Sequence, residues 1–196
     1  MRILLSLLLI NVMLAVSGSP TTELATGSAF GSNADSIPTR TVQETADGII
    51  VTYKFTSPSI SEDNLFPGIY QCVIPGFSVI TQSGKPAVSE HIDAFVAPAG
   101  SNPYVTLLSA SHHDLDYTLA PARFPISETD TIGHTADNVA PIAPYSGYYP
   151  ESVCTQLTSG DYRNQPIVRI KISPVQYDYD RKSIRAYSEL SYKITF

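Results

Sequence analysis

A two-residue period near the carboxyl end constrains this chain more than any other feature. Val168, Ile170 and Ile172 alternate with Arg169 and Lys171. Beyond a polar corner at Tyr179-Asp180-Arg181-Lys182-Ser183, Leu190, Tyr192, Ile194 and Phe196 alternate with Ser191, Lys193 and Thr195. Successive side chains of a strand point to opposite faces, so each segment has one apolar face and one wet one. The pair predicts an antiparallel hairpin laid on a core. Because the pattern runs to Phe196, it also predicts a domain that closes on its last residue.

Upstream, Ile49, Val51, Tyr53 and Phe55 alternate with Ile50, Thr52 and Lys54, and Ile69 to Ile80 reads as two short strands hinged at Pro75-Gly76. Strand character returns at His91 to Ala97, at Tyr104 to Leu108, in a short piece at Leu115 to Leu119, and at Val153 to Leu157. No segment holds a helical period over three turns. The 15 prolines fit turns and sheet edges, since each removes a donor from a strand ladder. The pattern predicts an all-β fold, an antiparallel β-sandwich of jelly-roll type.

Met1-Arg2 followed by an uncharged run from Ile3 to Val16 and small residues at Ala15 and Ser17 reads as a secretory signal peptide, residues 1–17. The run is shorter than the roughly 20 apolar residues that cross a bilayer, so no membrane span is expected. The expected destination is the periplasm, the cell surface or the extracellular medium. Residues 18–46, rich in Ser, Thr, Ala and Gly, read as a flexible tether, which leaves residues 47–196 as the folded domain.

The net charge of −6 argues against nucleic acid as a partner. Seven of the 12 basic residues fall in residues 162–196, where outward Lys and Arg suit solvated strand faces. Cys72 and Cys154 are the only cysteines. In an exported chain they are disulfide candidates, and a bond closing some 80 residues contributes roughly 4 kcal/mol where the geometry allows it. Two buried free thiols are the alternative.

Three motifs carry a family resemblance. Gly84-Lys85-Pro86 is followed by Val96-Ala97-Pro98; Pro121-Ala122-Arg123-Phe124-Pro125 comes next; Tyr149-Pro150 leads to Tyr162-Arg163 and then to Ile172-Ser173-Pro174-Val175-Gln176-Tyr177. With these motifs, residues 47–196 resemble the N-terminal propeptide domain of the gingipain-type cysteine peptidases. The resemblance implies a β-sandwich that helps a peptidase fold, keeps it latent during export and is then removed by proteolysis. It further implies a loop laid over the active-site cleft with a basic side chain in the specificity pocket. The long connection from Ile126 to Tyr149 contains no Lys or Arg; His134 is its single ionisable nitrogen, and Arg123 stands just before it. Arg123 and His134 are therefore the candidate partner contacts. The implied partner is a cysteine peptidase catalytic domain supplied in trans, because no peptidase domain is expected after Phe196. The chain itself is expected to be non-catalytic and monomeric when unbound.

No constellation points to chemistry of its own. His112 and His113 are adjacent, and neighbours on a strand face opposite ways, so they do not readily share an ion. His91 and Asp93 share a strand face, yet two ligands do not make a metal site. Both cysteines sit in apolar strand-like runs, where burial makes a thiol inert. No cofactor, metal or catalytic residue is expected. Tyr145, Tyr148 and Tyr149 cluster at the end of the long loop, placed to anchor a partner or to cap the sandwich. Two other readings remain open: a sandwich that binds a surface glycan or adhesion partner, and the front end of an interrupted peptidase gene.

Overall fold

The computed structural model describes residues 37–80, 82–123, 135, 139–158, 160–162 and 165–196. Residues 1–36, which hold the expected signal peptide and most of the expected tether, and His134 lie outside the described residues. In chain order the strands are β1 (Thr39–Thr45), β2 (Gly48–Lys54), β3 (Ser59–Glu62), β4 (Tyr70–Val73), β5 (Ser78–Val79) and β6 (Ser89–Val96). They continue as β7 (Tyr104–Leu115), β8 (Tyr148–Tyr149), β9 (Cys154–Gln156), β10 (Gly160–Tyr162), β11 (Gln165–Ile172), β12 (Val175–Asp178) and β13 (Ser183–Thr195). The described residues contain no helix, and every paired strand runs antiparallel to its neighbour. The fold is all-β.

β13 is the axis of the molecule. Along one edge it pairs with β2 over Glu189–Thr195 and with β12 over Ser183–Ala186; along the other it pairs with β7 over nearly its whole length. β1 continues the six-stranded sheet beyond β2, and β8 continues it beyond β12. Ile184, Ala186, Leu190, Tyr192 and Ile194 are fully buried in alternation with more exposed neighbours, as the two-residue period requires. Two register shifts interrupt the β13–β7 ladder. One leaves Ser188 of β13 without an opposite residue and the other leaves Leu108 of β7 unopposed, so each strand carries one bulge.

The expected closing hairpin forms differently. β11 does not pair with β13; it lies in a second sheet, between β6 on one side and β9 and β10 on the other. The chain changes sheets at Ser173-Pro174, and the true hairpin is β12–β13, turning through Tyr179–Lys182. Proline at this step has no N–H for a ladder, so the β11 pairing ends there. Val168, Ile170 and Ile172 of the second sheet pack in the same core as Val51, Leu190, Tyr192 and Ile194 of the first.

Two further expectations are corrected. Residues 39–45, read as the end of a flexible tether, form β1 and pair residue for residue with β2. Its burial pattern is almost wholly exposed, so an edge strand held by backbone pairing left no apolar period to read. Tyr104–Leu108, expected as a short strand, continues through Ser109-Ala110-Ser111-His112-His113-Asp114 to Leu115 as the single strand β7, and the strand expected at Leu115–Leu119 does not form, Leu119 making only an isolated bridge to Tyr70. β7 forms the sheet margin, most of its residues are exposed, and polar residues therefore do not interrupt it.

Candidate functional site

Gly84, at φ 73°, allows the turn that presents Lys85. The backbone N–H of Ala143 donates to the Gly84 carbonyl at 2.9 Å, which holds the segment leading to Tyr145 against this turn. Lys85 Nζ sits 5.2 Å from the ring centroids of both Tyr145 and Tyr149, a cation between two π-faces. Tyr149 and Tyr148 form β8, opposite Tyr177 and Asp178 of β12. Their alternation sends Tyr148 to another neighbour, the Arg185 guanidinium, 4.3 Å from its ring. Arg185 Nε donates to Asp114 Oδ1 at 3.0 Å. The three tyrosines named from sequence thus share one end of the sandwich and engage two different cations.

Below them lies a cavity of about 620 Å³, walled by Phe66, Ile69, Leu119, Tyr145, Tyr177 and Tyr179 among others, with Lys182 also in its lining. Tyr145 and Tyr177 each pack a ring against Tyr179, at 5.1 and 5.3 Å. The Tyr179 hydroxyl is buried and has no hydrogen-bond partner among the described residues. Burial, then the neighbouring tyrosines Tyr149, Tyr177 and Tyr145, push its phenol up to about 12.

Arg123 stands apart from the tyrosine cluster. Its guanidinium donates to both carboxylate oxygens of Asp63 and, at 3.3 Å, to Asn64 Oδ1. The Asp63 side chain is 0% exposed and that of Arg123 20%. Asp63 also accepts the N–H groups of Leu65 and Phe66 and the Gln71 amide. Burial raises its carboxyl; these donors and the Arg123 charge outweigh that and hold it below the ordinary carboxylate range. The cation that precedes the long loop in sequence is therefore committed to a buried acid of its own domain.

The disulfide expectation is corrected: Cys72 and Cys154 are both free thiols. Cys72 lies on β4 of the two-stranded β3–β4 sheet, and Cys154 lies on β9 against β11. Burial pushes both thiols up to about 12, with the Asp93 charge adding to the effect at Cys154. His112 tilts against the Tyr187 ring at 5.4 Å, and its neighbour His113 lies opposite Ala186. Among the described residues no group of three His, Cys, Asp or Glu side chains is placed to hold a metal.

Sequence reasoning missed a buried polar cluster centred on Asp93. Asp93 of β6 is 5% exposed. It accepts hydrogen bonds from Tyr53 of β2 (2.8 Å) and Tyr192 of β13, lies 3.3 Å from Arg40 Nε of β1, and has His91 Nε2 at 3.6 Å. One carboxylate thereby ties the second sheet to three strands of the first. The shared face of His91 and Asp93 was legible from their spacing; the tyrosines arrive from strands 40 and 99 residues away. Gln176 has a similar role. Its amide donates to the Pro150 carbonyl at 2.7 Å and accepts from the Tyr187 hydroxyl at 2.7 Å. In this fold the Pro-Val-Gln-Tyr motif is a buried joint between β12, β13 and the Tyr149-Pro150 corner.

No protein-family model and no curated protein matches the sequence. Solved structures do. A chain in the complex of the RgpB pro- and mature domains from Porphyromonas gingivalis aligns with a TM-score of 0.67 over 80% of this chain and 84% of its own, at 14% identity. This chain has the fold found in gingipain pro-domain structures. A gingipain K chain from the same organism, from work on zymogenic latency, aligns with a TM-score of 0.63 over 82% of this chain and 93% of its own, at 17% identity.

Proposed function

We propose that this protein is an exported, non-catalytic propeptide-like domain that binds the catalytic domain of a gingipain-type cysteine peptidase, as a latency inhibitor or a folding helper. The observation that carries the reading is the alignment over four fifths of both chains with a structure in which pro- and mature domains form a complex. The internal chemistry agrees with a binding role. The buried polar groups tie the sheets together, and the high-pKa thiols are poor nucleophiles.

The contact surface we assign comprises Tyr145, Tyr148 and Tyr149 together with Arg123; His134, which lies outside the described residues, is a further proposed contact. Large rigid rings anchor protein interfaces at small entropic cost. The paired guanidinium of Arg123 makes that residue a scaffold of the surface, not a free cation for the specificity pocket of an Arg- or Lys-selective peptidase.

The test mixes the purified domain with a gingipain-type catalytic domain, follows complex formation by size-exclusion chromatography, and measures hydrolysis of Arg- and Lys-containing peptides. A complex that lowers hydrolysis identifies the inhibitor; faster recovery of active peptidase from denaturant identifies the folding helper. Absence of a complex together with unchanged hydrolysis and refolding removes the proposal.

A further inference from the structure

β1 ends the six-stranded sheet beyond β2, and among the described residues no strand lies on its other side. The hydrogen-bonding pattern fixes which backbone groups face outward. The Phe55 N–H donates to the Ser188 carbonyl and the Phe196 N–H to that of Asp47. Ile49, Val51 and Tyr53 therefore bond to β13, and Gly48, Ile50, Thr52 and Lys54 bond to β1. Their partners are Thr45, Gln43, Thr41 and Thr39. The N–H and C=O groups of Arg40, Val42 and Glu44 are left pointing away from the sheet.

Such an edge is a template for a further strand, and proteins blunt it with a bulge, a proline or a lysine. β7, at the opposite margin, carries a bulge at Leu108. β1 has none of these devices: it pairs with β2 without a register shift, it holds no Pro or Lys, and Val42 is 47% exposed.

The sequence of this strand selects its own copy as the added partner. Thr39-Arg40-Thr41-Val42-Gln43-Glu44-Thr45, laid antiparallel on itself about Val42, sets Thr39 opposite Thr45, Arg40 opposite Glu44, Thr41 opposite Gln43 and Val42 opposite Val42. Arg40 and Glu44 are the charged residues of β1, and with Val42 they share one face and supply the outward backbone groups. Other alignments forfeit the match. Parallel pairing in register sets each charge against itself, centring on Arg40 or Glu44 does the same for that residue, and centring on Thr41 or Gln43 sets a charge against Val42. The charges already nearby leave room for the pair. Arg40 Nε faces Asp93 at 3.3 Å, with His91 on the same acid, and the guanidinium lies 5.2 Å from the Phe95 ring; its other N–H groups are available to a second acid. Asp47 in the β1–β2 turn is held by Lys193, and Glu44 has no ion pair among the described residues.

We propose that two copies of this chain pair through β1, antiparallel about Val42, and join their six-stranded sheets into one. The contact is isologous and closes at two chains, whereas β1 laid on β7 of another copy would propagate. The expected monomer is the dilute form of the same protein. β1 reaches the Glu189–Thr195 half of β13 through β2, and Tyr148 and Tyr149 reach the Ser183–Ala186 half through β12. The proposal is therefore independent of the peptidase reading and fails or stands without it.

Sedimentation equilibrium of the full chain from about 1 µM to 1 mM tests it, since a single strand pair lies at the small, weak end of interface sizes. The expected result is a reversible monomer–dimer equilibrium. Glu44→Lys sets like charges opposite each other twice and should weaken the dimer about tenfold. Val42→Pro removes an outward N–H and no bond to β2, so it should abolish the dimer while circular dichroism shows the fold retained. The register has its own test. Thr41→Cys mixed with Gln43→Cys should oxidise to a linked pair faster than either variant alone, because the two positions face each other across a non-hydrogen-bonded pair with Cα atoms about 4.5 Å apart. A monomer at every concentration, species larger than a dimer, or a dimer that Glu44→Lys leaves unchanged overturns the proposal. Equal oxidation rates in the mixture and in the single variants overturn the register.

Discussion

Removing the Asp93 carboxylate should be among the most damaging single changes in the domain. In Asp93→Ala, the hydroxyls of Tyr53 and Tyr192 lose their shared acceptor at positions 3% and 0% exposed. Each orphaned buried hydroxyl costs about 1–3 kcal/mol, whereas Arg40, whose side chain is 31% exposed, can turn to water and adds little. The expected loss is about 4 kcal/mol, or a fall of roughly 8–16 °C in melting temperature for a domain of this size. Thermal denaturation followed by circular dichroism measures it. The discriminating variant is the triple change Asp93→Ala, Tyr53→Phe, Tyr192→Phe. It removes both ends of each hydrogen bond, so it should melt above Asp93→Ala even though it deletes more interactions. The pH dependence provides a second reading. Burial raises the Asp93 carboxyl; His91, Tyr192, Arg40 and Tyr53 together outweigh that and hold it below its unfolded value. A depressed carboxyl contributes stability that is present above the unfolded value of about 4 and is lost as pH falls through the lower folded value. Wild type and Asp93→Ala should therefore converge in acid below about pH 4. A single variant that melts within about 3 °C of wild type, or a triple variant less stable than the single, refutes the argument.

Three other outcomes follow from particular residues. Because Cys72 and Cys154 are unbonded, a reductant should leave the melting temperature unchanged, and burial of both thiols should make their labelling by a thiol reagent slow until denaturant is added. A Cβ on Gly48 would lie 1.9 Å from the carbonyl oxygen of Ile194, so Gly48→Ala must displace β2 from β13 and should cost about 2 kcal/mol or more in chemical denaturation. Arg123→Ala leaves the Asp63 carboxylate buried with its backbone and Gln71 donors but without its counter-charge. It should lower stability by about 2 kcal/mol, and equal stability of wild type and variant would show that the pair is not formed in solution.

The alternation at Val168–Ile172 and Leu190–Ile194 revealed which side chains face the core but not which strands are neighbours. The two stretches have the same period because both line one core, from opposite sheets. A period of two encodes a face; pairing is encoded by where the ladder is broken, and here Ser173-Pro174 breaks it. The same distinction explains β1 and β7. Thr39–Thr45 and the Ser109–Asp114 part of β7 are at the sheet margins, where backbone bonds hold a strand whose side chains stay in water, so there was no apolar pattern to find. The site was legible to the extent that it is local. Tyr145, Tyr148 and Tyr149 are close in sequence and remain together, whereas Lys85, Arg185 and Lys182 reach them only through the fold. Arg123 is the instructive case. Its position before the loop pointed outward to a partner, but Asp63, 60 residues earlier, claims its charge. A buried carboxylate with no counter-charge is costly enough that the cation is retained for the domain's own stability before it is offered to any other protein.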